Sequence, residues 1–122
     1  MALQESGEMY LEAIYVLSQK SNEVRAIDVG DYLGYSKPSV SRALGILRDQ
    51  DLVRKDEDGF IRLTKDGAAH AKNIYERHTV LTQLLMKFGV DEETASEDAC
   101  RVEHYISEKT FQAIKAHVEN CD

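Results

Sequence analysis

The segment around residue 100 combines three side chains of different donor chemistry. Cys100, Glu103 and His104 place a thiol, a carboxylate and an imidazole at positions i, i+3 and i+4 of a helical pattern. Residues with this spacing share one helix face, with Cβ atoms about 5–6 Å apart. Soft, hard and borderline donors on one face suit a divalent transition metal. The segment alone fits equally well a half-buried cysteine beside a surface Glu–His pair.

Three further residues are candidate ligands elsewhere in the chain. Met9 and Glu12 are three residues apart on one face of the first helical pattern, and His78 falls within a later apolar stripe. Methionine is more often a filler of irregular gaps in a core. A single histidine in an apolar stripe is also more often a core residue whose hydrogen bonds are satisfied. Their assignment as ligands therefore depends on the rest of the chain.

The composition limits the class of protein. The chain has 122 residues, 43% of them hydrophobic, which is enough for one compact domain or two small modules that share a core. The net charge of −7 argues against indiscriminate nucleic-acid binding. Residues 23–65 carry eight basic and eight acidic side chains, whereas residues 66–122 carry six and eleven. The acidic C-terminal part suits a cation site.

The sequence carries no signal for a membrane or for export. No run of about 18 apolar residues exists, so no membrane span is predicted. The first residues lack a basic region followed by an apolar one, so no signal peptide is predicted. Cys100 and Cys121 are the two cysteines. They do not form a disulfide scaffold, and we expect reduced thiols in a cytoplasmic protein.

The first half of the chain has the pattern of a winged helix-turn-helix domain. A helix over residues 4–20 precedes a short helix over residues 26–33, whose apolar residues Ile27, Val29, Tyr32 and Leu33 we expect to point inward. Gly34 suits a left-handed helix end, and Ser36 can cap a third helix. Helix, glycine turn and capped helix are typical of helix-turn-helix motifs. Two β-prone runs flank Asp58-Gly59, which predicts a hairpin wing.

The second half is predicted to be entirely helical. A long helix follows a cap at Thr64, a fifth helix runs from a cap at Asp91 to about Tyr105, and Ser107 caps a sixth. We therefore predict a mainly α protein. Residues 1–64 would form the winged helix-turn-helix domain, and residues 65–122 an all-α domain.

The third helix is the expected DNA-reading element. Hydroxyls and exposed N–H groups at its N-terminus can meet phosphates or base edges, a proline ring can contact a thymine methyl, and arginine is the commonest reader of guanine. The wing arginines are better suited to phosphates, although each charged residue could also be an ordinary solvated side chain. The candidate DNA-binding residues are Ser36, Lys37, Pro38, Ser39, Ser41, Arg42, Arg48, Arg54 and Arg62.

Five blocks of sequence, in order along the chain, resemble one family. They are Glu8–Tyr15, Ser36–Ser41, Leu63–Gly67, His78 and Asp98–Ser107. The family is that of the metal-dependent transcriptional repressors related to the diphtheria toxin repressor and the manganese transport regulator. The resemblance implies a winged helix-turn-helix domain followed by a metal-binding and dimerisation domain, and a homodimer that binds a palindromic operator in double-stranded DNA.

The resemblance also implies six metal ligands that combine two patterns of the family. The iron-type pattern is matched by Met9, Cys100, Glu103 and His104. Glu12 and His78 match ligand positions of the manganese-type pattern. Thr82 and Ser96 stand where the iron-type accessory site has Glu and His. The chain is therefore a hybrid of the two.

The donor set indicates the kind of metal, because thiolate and thioether donors favour softer ions. Fe²⁺ is the leading candidate, Mn²⁺ is the alternative, and Co²⁺, Ni²⁺ or Zn²⁺ would bind in vitro. The predicted function is metal-activated repression of metal homeostasis genes. The alternatives are a metal-independent winged-helix regulator and a metal-dependent hydrolase, which the absence of a substrate loop disfavours. A redox sensor at Cys100 would need a resolving partner, and Cys121 lies several helical turns further along the chain.

Overall fold

A computed structural model describes residues 5–120 of the chain as helices joined by short turns and one two-stranded sheet. The elements are α1 (Glu5–Lys20), α2 (Ala26–Leu33), α3 (Lys37–Asp49), β1 (Val53–Lys55), β2 (Ile61–Leu63), α4 (Lys65–Lys87), α5 (Glu92–Val102) and α6 (Glu108–Asn120). The predicted mainly α fold with a winged helix-turn-helix is confirmed. No helix within residues 5–120 is long and apolar enough to cross a membrane.

The chain divides into two compact units, and the boundary falls within α4, between Lys72 and Asn73. The core of the first unit is built from α1, α2, α3 and the sheet. Its fully buried side chains include Leu11, Ile14, Val29 and Leu47. Leu11 and Ile14 are three residues apart in α1, and the buried Leu44 and Leu47 of α3 have the same spacing, which places each pair on one helix face.

The helix-turn-helix forms as its local signals predict. Gly34 has φ 73°, a conformation that costs a glycine little, and its N–H donates to Gly30 O at 2.8 Å. Ser36 precedes α3, and its hydroxyl oxygen accepts the N–H of Ser39 at 3.4 Å. Pro38 lies in the first turn of α3, where an N–H would have no partner within the helix. These contacts set the start and direction of α3.

One prediction for α2 is wrong. Ile27 and Tyr32 are 65% and 52% exposed, whereas Val29 is fully buried and Leu33 is partly buried. At 3.6 residues per turn, Ile27 lies about 160° around the helix from Val29, so the two cannot share one face. Hydrophobicity alone places all four apolar residues inward, but only Val29 and Leu33 lie on the inward face.

The wing is a short antiparallel hairpin. Strands β1 and β2 pair with Val53 opposite Leu63 and Lys55 opposite Ile61. The Asp56 carboxylate accepts the N–H groups of Asp58 and Phe60, each at 3.0 Å, and closes the connecting loop. Desolvation favours the protonated Asp56 carboxyl, but the bonds from Phe60, the Arg62 side chain and Asp58 outweigh this effect, so its pKa lies below the usual value. The predicted hairpin is confirmed, with the loop held by a charged aspartate.

The second unit contains the rest of α4 together with α5 and α6. Its core cluster joins Val80 of α4 to Phe111 and Val118 of α6, with Leu84, Ile106 and Ile114 packed against it. The predicted caps are confirmed, because the Asp91 carboxylate accepts the N–H of Thr94 and the Ser107 hydroxyl accepts the N–H of Thr110.

The predicted end of α5 is wrong by about three residues. The helix ends at Val102, and a turn over residues 103–105 leads towards α6. Glu103 nevertheless keeps right-handed helical dihedral angles (φ −57°, ψ −26°), and its N–H donates to Ala99 O at 2.9 Å. Glu103 therefore has the same position relative to Cys100 as in a continuous helix, although it lies just beyond the end of α5.

Candidate metal centre

Three predicted ligands converge where α5 ends. Each of Cys100, Glu103 and His104 offers one donor atom, and these atoms all lie within 4.8 Å of one another. Cys100 comes from the last turn of α5, and the other two residues come from the turn that follows. Sulfur, oxygen and nitrogen donors at this separation can surround one divalent transition metal.

The side chains of Glu103 and His104 are both fully buried. Glu103 is 0% exposed, and its Oε2 lies 2.9 Å from His78 Nδ1, so α4 adds a fourth candidate ligand to the group. His104 Nε2 is 3.4 Å from Glu103 Oε1. No residue that the structure describes donates a hydrogen bond to Oε1. A buried carboxylate oxygen without a donor is costly, and a bound cation would compensate it, so the donor set fits a metal ion.

Ser96 orients the His78 ring from its other side. Its hydroxyl lies 3.2 Å from His78 Nε2, while Nδ1 faces Glu103. A partner at the second ring nitrogen of a histidine fixes the ring orientation and the tautomer, which tunes the ligating nitrogen. In the sequence, Ser96 stands out only because the iron-type accessory site has a histidine at this position. Its position one helical turn before Cys100 could have placed it on the same face.

The remaining two predicted ligands lie in the first unit. Met9 and Glu12 are partly buried residues of α1. The Tyr35 hydroxyl lies 3.9 Å from the Met9 sulfur, and the Tyr10 and Tyr35 rings pack with their centroids 5.8 Å apart. Their assignment as ligands remains a prediction.

The chain matches two sequence families that together cover it. Residues 2–68 match the N-terminal DNA-binding domain of the iron-dependent repressors, and residues 64–122 match the metal-binding and dimerisation domain of the same proteins. The chain belongs to the iron-dependent repressor family. It is a metal-dependent transcriptional repressor, and the prediction that it is not an enzyme is confirmed.

Several known proteins are similar to this repressor over most of its length. An HTH-type transcriptional regulator of Methanocaldococcus jannaschii is 30% identical over 119 residues, which are 96% of this chain and 95% of that protein. The transcriptional regulator MntR of Escherichia coli is 33% identical over 87% of this chain and 68% of its own. The structure of the manganese regulator SloR has a TM-score of 0.84 at 27% identity, over 98% of this chain. The repressor spans 55% of the length of SloR.

The candidate DNA face of the repressor is exposed. Eight of the nine predicted residues are exposed and Ser39 is partly buried, with its hydroxyl 2.9 Å from that of Ser36. A groove of about 380 Å³ lies between α3 and the wing, and residues of α2 also line it. The residues that line it include Lys37, Ser41, Arg48, Arg54 and Lys55. Several cations thus border one concave surface, which suits a phosphate backbone.

The two wing arginines differ in their local contacts. Arg54 lies 3.8 Å from the Asp51 carboxylate, and both side chains are more than two-thirds exposed, so this ion pair is weak. Arg62 donates to Asp56 at 3.2 Å and also lies over the Phe60 ring at 5.9 Å. Arg62 therefore has a role in holding the wing loop, which its sequence position did not predict.

Cys100 is a free, partly buried thiol. Cys121, the other cysteine of the sequence, lies outside the residues that the structure describes. The neighbours of the Cys100 sulfur are the donors of Glu103 and His104. The observed surroundings therefore support metal ligation as the use of this thiol.

Proposed function

We propose that this protein is a metal-activated repressor that binds a palindromic operator as a homodimer and controls metal homeostasis genes. The observation that carries the proposal is the convergence of thiol, carboxylate and imidazole donors within 4.8 Å, around a fully buried Glu103. In this proposal residues 1–64 bind DNA, and residues 65–122 bind the metal and form the dimer. The cell compartment that suits this function is the cytoplasm.

The proposed ligands differ in what each contributes. Glu103 offers a charged oxygen, held by His78 on one side. Cys100 and His104 add a sulfur and a nitrogen from the same turn region. Met9 and Glu12 of α1 are the further ligands expected from the sequence. A bound divalent cation supplies the positive charge that balances these donors. With ligands from α1 as well, metal binding would affect the conformation of the first helix.

The physiological metal in this proposal is Fe²⁺. Sulfur donors at Cys100 and Met9 favour softer ions than an all-oxygen site does. Mn²⁺ is the alternative, because Glu12, Glu103 and His78 are harder ligands. Co²⁺, Ni²⁺ and Zn²⁺ are also expected to bind in vitro. The affinities of most sites for divalent ions follow one general order, so affinity in vitro does not identify the metal bound in the cell.

Helix α3 is the proposed reading element. Ser36 and Ser39 lie at its N-terminus, where N–H groups and hydroxyls can meet phosphates or base edges. Arg42 is exposed one turn further on and suits a guanine. A dimer presents two such helices to half-sites about one helical turn of DNA apart. Leu84, Leu85 and Ile106 are partly buried and are candidates for the dimer interface.

Removing the metal is expected to weaken operator binding by about 5–150-fold, the usual range for coupling between two sites. The reason is that a ligand shifts an equilibrium only through its different affinities for the two states. A palindromic duplex selected from a random library by Co²⁺-loaded protein would serve as operator. Fluorescence anisotropy would compare its affinity with Co²⁺ and with a chelator. Equal affinities would instead support the metal-independent regulator.

Replacing Arg48 by alanine is expected to flatten the salt dependence of operator binding. Each phosphate contact contributes about 0.9 to the slope of log affinity against log salt concentration, so a dimer would lose about 1.8. Arg48 borders the groove between α3 and the wing, whereas Lys109 is an exposed cation of the second unit. Lys109→Ala is therefore the matched control and should keep the wild-type slope. An unchanged slope in Arg48→Ala would remove this residue from the DNA face.

A further inference from the structure

One buried guanidinium contacts the turn that carries Glu103 and His104. Arg77 of α4 is 9% exposed. Its Nη1 donates to the backbone carbonyl of Glu103 at 3.1 Å and to that of Ile106 at 2.7 Å. These two carbonyls bracket the turn between α5 and α6. One side chain thus holds both ends of the segment that supplies two proposed ligands.

The turn needs such a donor because of where α5 ends. The last carbonyls of a helix have no partner within the helix, and buried backbone oxygens require a hydrogen-bond donor from elsewhere. The guanidinium is planar and its donors have a fixed geometry. Two bonds from this rigid group set the separation of the Glu103 and Ile106 carbonyls. They therefore restrict the backbone of His104 and Tyr105 between them.

Arg77 is itself held by α6. Its guanidinium carbon lies 5.3 Å from the centroid of the Phe111 ring, which is fully buried. Nη2 lies 3.5 Å from a Glu108 carboxylate oxygen, to which Asn73 also donates. Packing against an aromatic face and a carboxylate partner both favour an arginine over a lysine at this position. The side chain is thus fixed before any ligand binds.

Two consecutive residues of α4 hold Glu103 in different ways. Arg77 bonds its backbone carbonyl, while His78 bonds its carboxylate. Arg77 Nε donates to no residue that the structure describes, so burying this guanidinium has a cost. A buried cation with an unsatisfied nitrogen is not the most stabilising choice for a core position. Its contacts with the turn supply another reason for its presence.

We propose that Arg77 is a positioning residue of the metal centre, which holds the backbone of Glu103 and His104 in the geometry that binds the cation. This inference rests on the proposed metal-binding function. Partners that orient metal ligands from outside typically change metal affinity by about 10–100-fold when mutated. Arg77 acts on the ligand backbone, so its loss affects both ligands together.

The test uses the full chain and Co²⁺ as the probe. Arg77→Met keeps a long side chain on Phe111 but removes every donor. Arg77→Lys keeps the charge and a nitrogen with several donors, but lacks the planar group that also packs on Phe111 and reaches Glu108. Calorimetry is expected to give a Co²⁺ affinity about 10–100-fold lower for Arg77→Met and an intermediate loss for Arg77→Lys. The visible absorption of the saturated Co²⁺ complex is expected to change as well, since it reports ligand geometry.

Lys115→Met is the matched control. Lys115 forms an ion pair with Glu76 at 3.0 Å, so its removal tests the loss of a cation from the second unit. Its Co²⁺ affinity and spectrum should equal those of the wild type. Circular dichroism without metal would establish which variants are folded, and Arg77→Lys provides the test if Arg77→Met does not fold.

Two results would overturn the proposal. Wild-type affinity and spectrum in a folded Arg77 variant, even one with lower thermal stability, would make Arg77 a purely structural residue. In that case the wild type would still bind Co²⁺ and respond to chelation, so the proposed function would stand. Failure of the wild type itself to bind Co²⁺ would overturn both.

Discussion

Replacing Cys100 by serine is expected to lower the affinity for Co²⁺ by about 100-fold, or about 2.8 kcal/mol. The Cys100 sulfur lies within 4.8 Å of the Glu103 and His104 donors, so it can be a direct ligand. A serine hydroxyl has nearly the same shape, but it stays protonated and is a much harder donor than a thiolate. Metal-dependent operator binding should fall in parallel.

The measurement combines affinity with a spectroscopic signature of the sulfur. Calorimetry would give the Co²⁺ affinity, and a thiolate-to-cobalt absorption band in the near ultraviolet would report the Co–S bond. Cys121→Ser is the matched control, because it removes the other thiol of the sequence, which lies outside the described residues. If Cys100→Ser kept both the band and the affinity, Cys100 would be a half-buried cysteine beside a Glu–His pair.

The same variant separates the two candidate metals. Mn²⁺ prefers oxygen donors, so it should lose about tenfold or less on the change from sulfur to hydroxyl, whereas softer ions lose more. Repression that survives in Cys100→Ser with Mn²⁺ but not with Fe²⁺ would locate the iron dependence in this sulfur. Equal losses with both ions would mean that the thiolate contributes mainly charge.

The parts of the fold that were predictable are those set by local residues. Ser36, Asp91 and Ser107 each accept the N–H of the residue three positions later, so a cap can be recognised from a few consecutive side chains. The spacing of Cys100 and Glu103 also survived, although α5 ends between them. It survived because Glu103 keeps helical dihedral angles beyond the last helical residue.

The parts that were not predictable depend on contacts between distant residues. Ser96 and His78 are 18 positions apart, and Arg77 and Glu103 are 26 apart. In the sequence Arg77 is simply a charged residue beside a histidine, and nothing local marks it as buried. The prediction for Ile27 was wrong for a related reason. Apolar character does not specify which face of a short helix meets the core.

Replacing Gly67 by alanine is expected to lower the free energy of unfolding of the first unit by about 3 kcal/mol, the upper part of the usual range for overpacking. A Cβ atom at this position would lie 1.9 Å from the Leu52 carbonyl oxygen and 2.8 Å from its carbon. Both are backbone atoms, so no side-chain rotation can relieve the clash. Urea unfolding followed by circular dichroism would measure the change.

The backbone on both sides of this contact is fixed by hydrogen bonds. Leu52 O accepts the N–H of Thr64 at 3.1 Å, and the Thr64 hydroxyl accepts the N–H of Gly67 at 3.0 Å and donates to Asp51 O at 2.8 Å. Moving α4 away from Leu52 would therefore strain or break the cap that begins the helix. The close approach of the Leu52 carbonyl therefore explains why a glycine stands in the first turn of α4. The conformational freedom of glycine is not needed there.

Gly45→Ala provides the opposite expectation in the same unit. Among the described residues, no atom other than those of the chain neighbours and the α3 backbone lies within 4 Å of a Cβ placed on Gly45, and the residue is inside α3, where alanine is the better helix former. Its free energy of unfolding should rise by about 0.4–1 kcal/mol. The two substitutions add the same methyl group to a helical glycine, so opposite changes in stability would identify the Leu52 contact as the source of the loss. Equal stability of both variants would mean that the start of α4 can shift past the Leu52 carbonyl without losing the Thr64 cap.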